Sequence, residues 1–189
     1  MADSRGDTLL QKKYAEDFVR QASDTLYGNM YNKYLIEMYT GILKNPVKAE
    51  YLAKKELENR STPQTRAWYA WTLFSNNKKE VAMDQFQRNI SGKPLEGFEL
   101  YWMGKLMQGM NKTYNAHAFF EAAYTNKYDL APGIRHDLEI QASALKQHCL
   151  QEYLYPDSAT HSRSQQRKLK TLWQALRPPW LVPTTGDAA

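Results

Sequence analysis

Few side chains in this sequence could do bond-making chemistry. The nucleophilic and metal-ligating candidates are Cys149 and four histidines, His117, His136, His148 and His161. They fall into no H-E-x-x-H or C-x-x-C pattern, so no ligand set of tetrahedral or catalytic metal type is spelled out. His148 and Cys149 are adjacent, which on a helix turns them to different sides rather than into a nucleophile–base contact. His117 follows Ala116, a core position, and is expected to face solvent. The glycines form no phosphate loop, because Gly104 and Gly109 fall inside or at the end of a helical pattern. Asn89-Ile-Ser91 and Asn111-Lys-Thr113 match glycosylation acceptors, a triplet that arises often by chance. The expectation is a chain with no catalytic residues, no metal and no cofactor.

Two other groupings could act by binding. One is basic: Arg163, Arg167, Lys168, Lys170 and Arg177, with no acid between Ser158 and Gly186. The whole chain carries a formal charge of +5, yet residues 1–150 hold 20 basic against 17 acidic groups, so the excess belongs to the C-terminal segment. Such a segment attracts phosphates and anionic surfaces through a long-range field, although a solvated helix face has the same composition. The other grouping is aromatic, drawn from thirteen tyrosines, six phenylalanines and five tryptophans. That content excludes disorder as the main state. At 189 residues the chain is long enough to bury a core without staples, and one cysteine excludes a disulfide scaffold. No apolar run approaches the ~20 residues of a membrane span. Met1 to Gly6 lacks a signal-peptide pattern, and with the single cysteine this favours the cytoplasm as an expectation.

The elements that position these residues are legible as a repeat. Trp68 recurs as Trp102, Ala70 as Gly104, Ala82 as Ala116 and Phe86 as Phe120, each thirty-four residues on. Within a copy, Arg66, Tyr69, Ala70 and Leu73 keep the i, i+3, i+4, i+7 spacing of one helix face, as do Leu100, Met103, Gly104 and Met107. After a turn, Ala82, Phe86 and Asn89 share a face, and Ala116, Phe120 and Ala123 match them. Small residues at Ala70/Gly104 and Ala82/Ala116 let two antiparallel helices approach, with Phe86 or Phe120 filling the space beside them. Asn76-Asn77 in one copy and Gly109 with Asn111 in the other are turn formers. Breaks between copies fall at Gly92 to Pro94 and near Asp129 to Gly133.

On these residues the chain resembles the tetratricopeptide repeat (TPR) family over residues 63–130. Arg66, Asn89 and Tyr128 depart from the family's usual opening large residue, alanine and closing proline. The resemblance implies an all-α fold, a right-handed α-solenoid of antiparallel helix pairs that binds other proteins. The repeats would span 63–96 and 97–130, preceded by a divergent copy at about 29–62. Ile36, Ala49 and Ala53 stand thirty-three residues before Tyr69, Ala82 and Phe86. Ala15, Val19 and Ala22 stand thirty-four before Ala49, Ala53 and Glu56, so a helix over 7–27, striped by Leu10, Tyr14, Phe18 and Ala22, takes the place of a second helix without its first. Such an unpaired end suits a cap, a longer array or a homodimer. Ala131-Pro132 opens a capping helix, 131–152, with Leu138, Ala142, Leu145 and Cys149 as its apolar stripe. The helical domain is thus 1–155, followed by a basic, Pro/Trp-containing tail at 156–189. Its Leu169, Leu172, Trp173 and Leu176 share a helix face, and its Arg177-Pro178-Pro179-Trp180-Leu181-Val182-Pro183 is extended.

The resemblance also implies that the first helix of each pair lines a concave wall. That wall would carry Gln64, Ala67, Trp71 and Phe74, then Phe98, Tyr101, Lys105 and Gln108, with Tyr31, Tyr34 and Met38 from the preceding helix. It is an aromatic groove for a peptide segment of a protein partner, unless its rings pack against neighbouring repeats or the tail. The family's carboxylate clamp is missing, since only Lys105 stands in such a place. The expected function is that of a non-enzymatic interaction scaffold or adaptor. The alternatives are nucleic-acid or anionic-surface binding through residues 163–177, with Trp173 and Trp180 as stacking groups, or service as an accessory domain of a larger assembly.

Overall fold

The structure, a computed structural model, describes residues 8–23 and 28–141, apart from the side chains of Tyr114 and Asp129. Every regular element among them is helical. In chain order these are α1 (Thr8–Ala22), α2 (Asn32–Thr40), α3 (Pro46–Asn59), α4 (Pro63–Ser75), α5 (Lys79–Asn89), α6 (Gly97–Gly109), α7 (Thr113–Thr125) and a 3-10 turn (Lys127–Asp129). A further helix, α8, begins at residue 132 and continues through 141. The basic tail, the distal half of the expected capping helix, His148, Cys149 and His161 lie outside the described residues.

Local sequence explains where the helices begin. Asn45 caps α3, its side-chain oxygen accepting from the Lys48 amide at 3.2 Å, and Pro46 follows where a missing N–H costs nothing. Thr62 and Thr65 form a reciprocal capping box on α4, with amide–hydroxyl distances of 3.2 and 3.0 Å, again followed by a proline, Pro63.

The helix-to-helix turns are closed by residues in the left-handed region. Asn77 has φ 61° and Asn111 φ 56°, and asparagine tolerates that region better than most residues. In both turns the next amide reaches back to close the helix: Lys78 N–H to the Leu73 carbonyl, and Lys112 N–H to the Met107 carbonyl, each at 2.9 Å. The α2–α3 turn also has a left-handed residue, Lys44 (φ 48°), but its closing bond runs from Asn45 N–H to the Tyr39 carbonyl, one residue further back.

Packing joins successive helices. α3 lies against both α2 and α4, α5 against α4, and α7 against α6, while α2, α4 and α6 also touch in sequence. The repeating small positions Ala70, Ala82, Ala116 and Ala123 are fully buried, as are Met103, Met107 and Phe120. Upstream, Ala49, Ala53 and Ile36 are equally buried, and Ala15 and Ala22 of α1 nearly so, in line with the register read from sequence. α1 is shorter than the 7–27 expected, ending at Ala22.

α4 buries more than the single stripe expected from its spacing. Ala67, Trp68, Ala70, Thr72 and Leu73 are all buried, while Arg66 and Tyr69 are half-buried. The reason is that α4 has neighbours on several sides, so a one-sided amphipathic pattern no longer describes it. α6 is more enclosed still, with Phe98, Glu99, Tyr101, Trp102, Met103, Gly104, Leu106 and Met107 buried. Glu99 is tolerated there because the Trp68 indole N–H donates to its Oε1 at 2.6 Å and the Lys33 ammonium stands 3.6 Å away.

Gly104 is where α6 and α7 approach most closely. A Cβ there would lie 2.6 and 2.7 Å from the Cε1 and Cδ1 atoms of Phe120, a ring with no exposed surface. In an open helix, Gly→Ala stabilises by about 0.5–1 kcal/mol. Here Gly104→Ala should destabilise by about 1–3 kcal/mol, because a packed ring must move. Urea unfolding of the variant against the parent chain measures the sign.

Candidate binding cleft

The aromatic wall expected from sequence is partly closed in the folded chain. Trp71 stacks on Trp102 with centroids 6.0 Å apart and planes within 4°, and on Phe74 at 5.8 Å. Phe98 meets Trp102 edge-on at 5.8 Å and Tyr34 at 6.1 Å, and Tyr101 rests against Phe120. Phe98 retains 3% of its surface and Tyr101 9%, so the structure places both inside rather than on an open wall. Trp71 is half-buried and its indole N–H donates to the Thr40 hydroxyl at 3.1 Å. Phe74 is half-buried too, with its ring over Gly109. Gln64 is half-buried at the start of α4.

α8 accounts for the rest of that wall. Asp137 accepts from the Tyr101 hydroxyl at 2.5 Å and lies 2.8 Å from the Lys105 ammonium; Gln108 donates to Gln141 at 2.7 Å. Burial alone would raise the Asp137 carboxyl, but these donors hold it below its usual range. The same burial and the Asp137 contact push the Tyr101 phenol up. Lys105 is therefore committed to an internal pair. Asp137 is thus turned towards α6.

What remains open lies at the other end of the chain. Tyr31, Tyr34 and Met38, all on the expected groove, line a cleft of about 890 Å³ together with Gln11, Tyr14, Ala15 and Phe18 of α1, Glu37, Ile42 and Ala131. Phe18 packs edge-on against Tyr31, 6.1 Å between centroids. Tyr14, Tyr34 and Ile42 expose 58%, 45% and 40% of their surfaces, an apolar concentration that a folded chain seldom leaves in water without a use.

Glu37 is the carboxylate of this cleft. Burial pushes it up to about 7, opposed by the attraction of Lys33. Lys33, one turn earlier, is drawn instead to α6: its ammonium stands 3.6 Å from both Glu96 and Glu99 and 4.9 Å from the centre of the Phe98 ring.

Sequence reasoning missed Glu37, Tyr14, Phe18, Gln11 and Ile42 as cleft residues. A signal existed for some of them. Glu37 follows Tyr34 by three and so shares its helix face, and Tyr14 and Phe18 were already on the α1 stripe. A smaller polar concavity of about 320 Å³ is lined by Lys127, Tyr128, Pro132, Arg135, His136 and Glu139. His117 is half-buried rather than solvent-facing, 3.6 Å from Glu121. Among the described residues no three ligating side chains converge on a point that could hold a metal, and no helix is long and apolar enough to cross a membrane.

The raised Glu37 carboxyl has a consequence for stability. Its folded value, about 7, lies above the ordinary 4.5, so between these the folded chain holds more protons than the unfolded one. Stability from this group therefore falls as pH rises from 4.5 towards 7, and the penalty is fully present above 7. Glu37→Gln should stabilise the chain at pH 8 by on the order of 1–3 kcal/mol, allowing for solvent that reaches the cleft, and by nothing at pH 4. Urea unfolding of both chains at the two pH values checks it.

No family model matches this chain, and no curated protein or solved structure shows significant similarity to it.

Proposed function

We propose that this chain is a non-enzymatic interaction module, a scaffold or adaptor, that holds a segment of another protein in the cleft between α1 and α2. The observation that carries this reading is the cleft itself: about 890 Å³, lined largely by aromatic and aliphatic side chains, with Tyr14, Tyr34 and Ile42 left open to solvent. Aromatic anchors in a concave site supply much of the energy of protein interfaces. The buried part of the aromatic wall supports the reading indirectly. Trp71, Phe74, Phe98 and Trp102 join α4 to α6, which gives the α2 wall of the cleft a firm backing.

The likeness to TPR proteins fits the same proposal. Three helix pairs, α2–α3, α4–α5 and α6–α7, each turn at a left-handed residue, at Lys44, Asn77 and Asn111. This supports a right-handed α-solenoid of hairpins in which the helix opening at residue 132 acts as the cap. In that arrangement the peptide would be held at the N-terminal end rather than along the whole inner wall, because α8 engages Tyr101, Lys105 and Gln108.

Selection of random peptides displayed on phage against the full chain tests the proposal. Enriched peptides should share apolar or aromatic positions and bind with Kd of micromolar order. The double variant Tyr34→Ala, Met38→Ala should weaken them about tenfold or more while leaving the helical circular dichroism unchanged. No enrichment over an unrelated helical protein, or equal binding by the double variant, overturns it.

A further inference from the structure

The cleft's charge specifies its occupant more narrowly than its apolar lining does. Glu37 shares the cleft with Tyr14, Phe18, Tyr31 and Tyr34, and its side chain has no ion pair within 4 Å among the described residues. The nearest candidate, Lys33, is spent on Glu96 and Glu99 and on the face of Phe98. Among the described residues Glu56, 1% exposed, accepts from Asn32 at 2.8 Å and pairs with Arg60 at 2.5 Å, while Glu99 has the Trp68 indole on one oxygen and no hydrogen-bond partner on the other. Those two are closed off inside the fold, whereas Glu37 stands in a cleft that a partner can enter.

An apolar segment seated over Glu37 would strip water from its carboxyl and drive it to take up a proton, which weakens such binding wherever the group is ionised. An acidic segment would add repulsion. A cation removes both problems: it pairs with the carboxylate and rests on ring faces, whose negative quadrupoles attract it. Arginine suits the site better than lysine, since its planar guanidinium can stack on a tyrosine and fork onto a carboxylate at once. From Glu37 among these rings we infer that the cleft recognises a peptide partner by an arginine side chain flanked by apolar residues. This deepens the reading given above and rests on it. The chain's net charge of +5 gives a cation no long-range attraction, so recognition at Glu37 rests on the local carboxylate and rings.

The test uses the full chain, isotope-labelled for NMR, and two blocked pentapeptides. One has an arginine between two leucines; the other has citrulline, which keeps the shape without the charge, in its place. The arginine peptide should shift the methyl signals of Met38 and Ile42 and the amides of Tyr34 and Glu37, binding about tenfold more tightly than the citrulline peptide. In Glu37→Gln, which keeps the side-chain volume, the gap should shrink to below about twofold. Equal affinity of the two peptides at these signals overturns the arginine assignment and leaves the peptide cleft standing. A gap that persists in Glu37→Gln overturns it as well, because the cation is then held elsewhere. If neither peptide shifts these signals the assignment also fails, and the phage selection separately decides whether the cleft binds peptides at all.

Discussion

The buried meeting of α2, α4 and α6 around Glu99 is the constraint on which the rest of the molecule depends. A carboxylate with no exposed surface holds the Trp68 indole of α4 at 2.6 Å and stands 3.6 Å from the Lys33 ammonium of α2. Removing one partner from such a buried group costs far more than the net worth of the contact, so the three helices are bound to one relative placement. Beside it the Trp71–Trp102 stack, with planes within 4°, sets the spacing of α4 and α6 through large rigid surfaces. Close approach on the other side follows from side chains too small to hold the helices apart, Ala70 and Ala82 in one pair, Gly104 and Ala116 in the next.

That constraint decides which aromatic surface stays open. Rings on α4 and α6 that could have lined an open groove are consumed in joining helices, and α8 occupies the polar positions that remain through Asp137 and Gln141. Open aromatic surface is left at the end where α2 has α1 rather than a helix pair beside it. Tyr34 illustrates the boundary: its ring meets Phe98 edge-on, yet it lines the cleft and 45% of its surface is exposed.

The three enclosed glutamates show how one residue type acquires different meanings. Glu56 is matched by an amide and a cation, and Glu99 by an indole and a cation on one oxygen while its other oxygen has no hydrogen-bond partner. Glu37 lies in similar surroundings of rings and aliphatic carbon, but its neighbouring lysine has been drawn away by α6, and burial is left to push its carboxyl up to about 7. A group in that condition costs stability above its raised pKa.

Sequence alone determined the helices, their turns and the repetition of small and large core positions. These depend on contacts within a few residues: Thr62 capping α4, Asn77 and Asn111 adopting left-handed backbone, and the 3.6-residue spacing that brings Ala70 and Leu73 to one face. The burial of Ala15 and Ala22 shows that even the unpaired first helix was legible, because its register follows the same period. Tertiary structure alone decided that Phe98 and Tyr101 are enclosed while Tyr14 and Tyr34 are open, and that Lys33 turns to Glu99 rather than Glu37. Those outcomes depend on which side chain arrives opposite from a distant helix, and helical spacing fixes the direction a residue faces without saying what it will meet there.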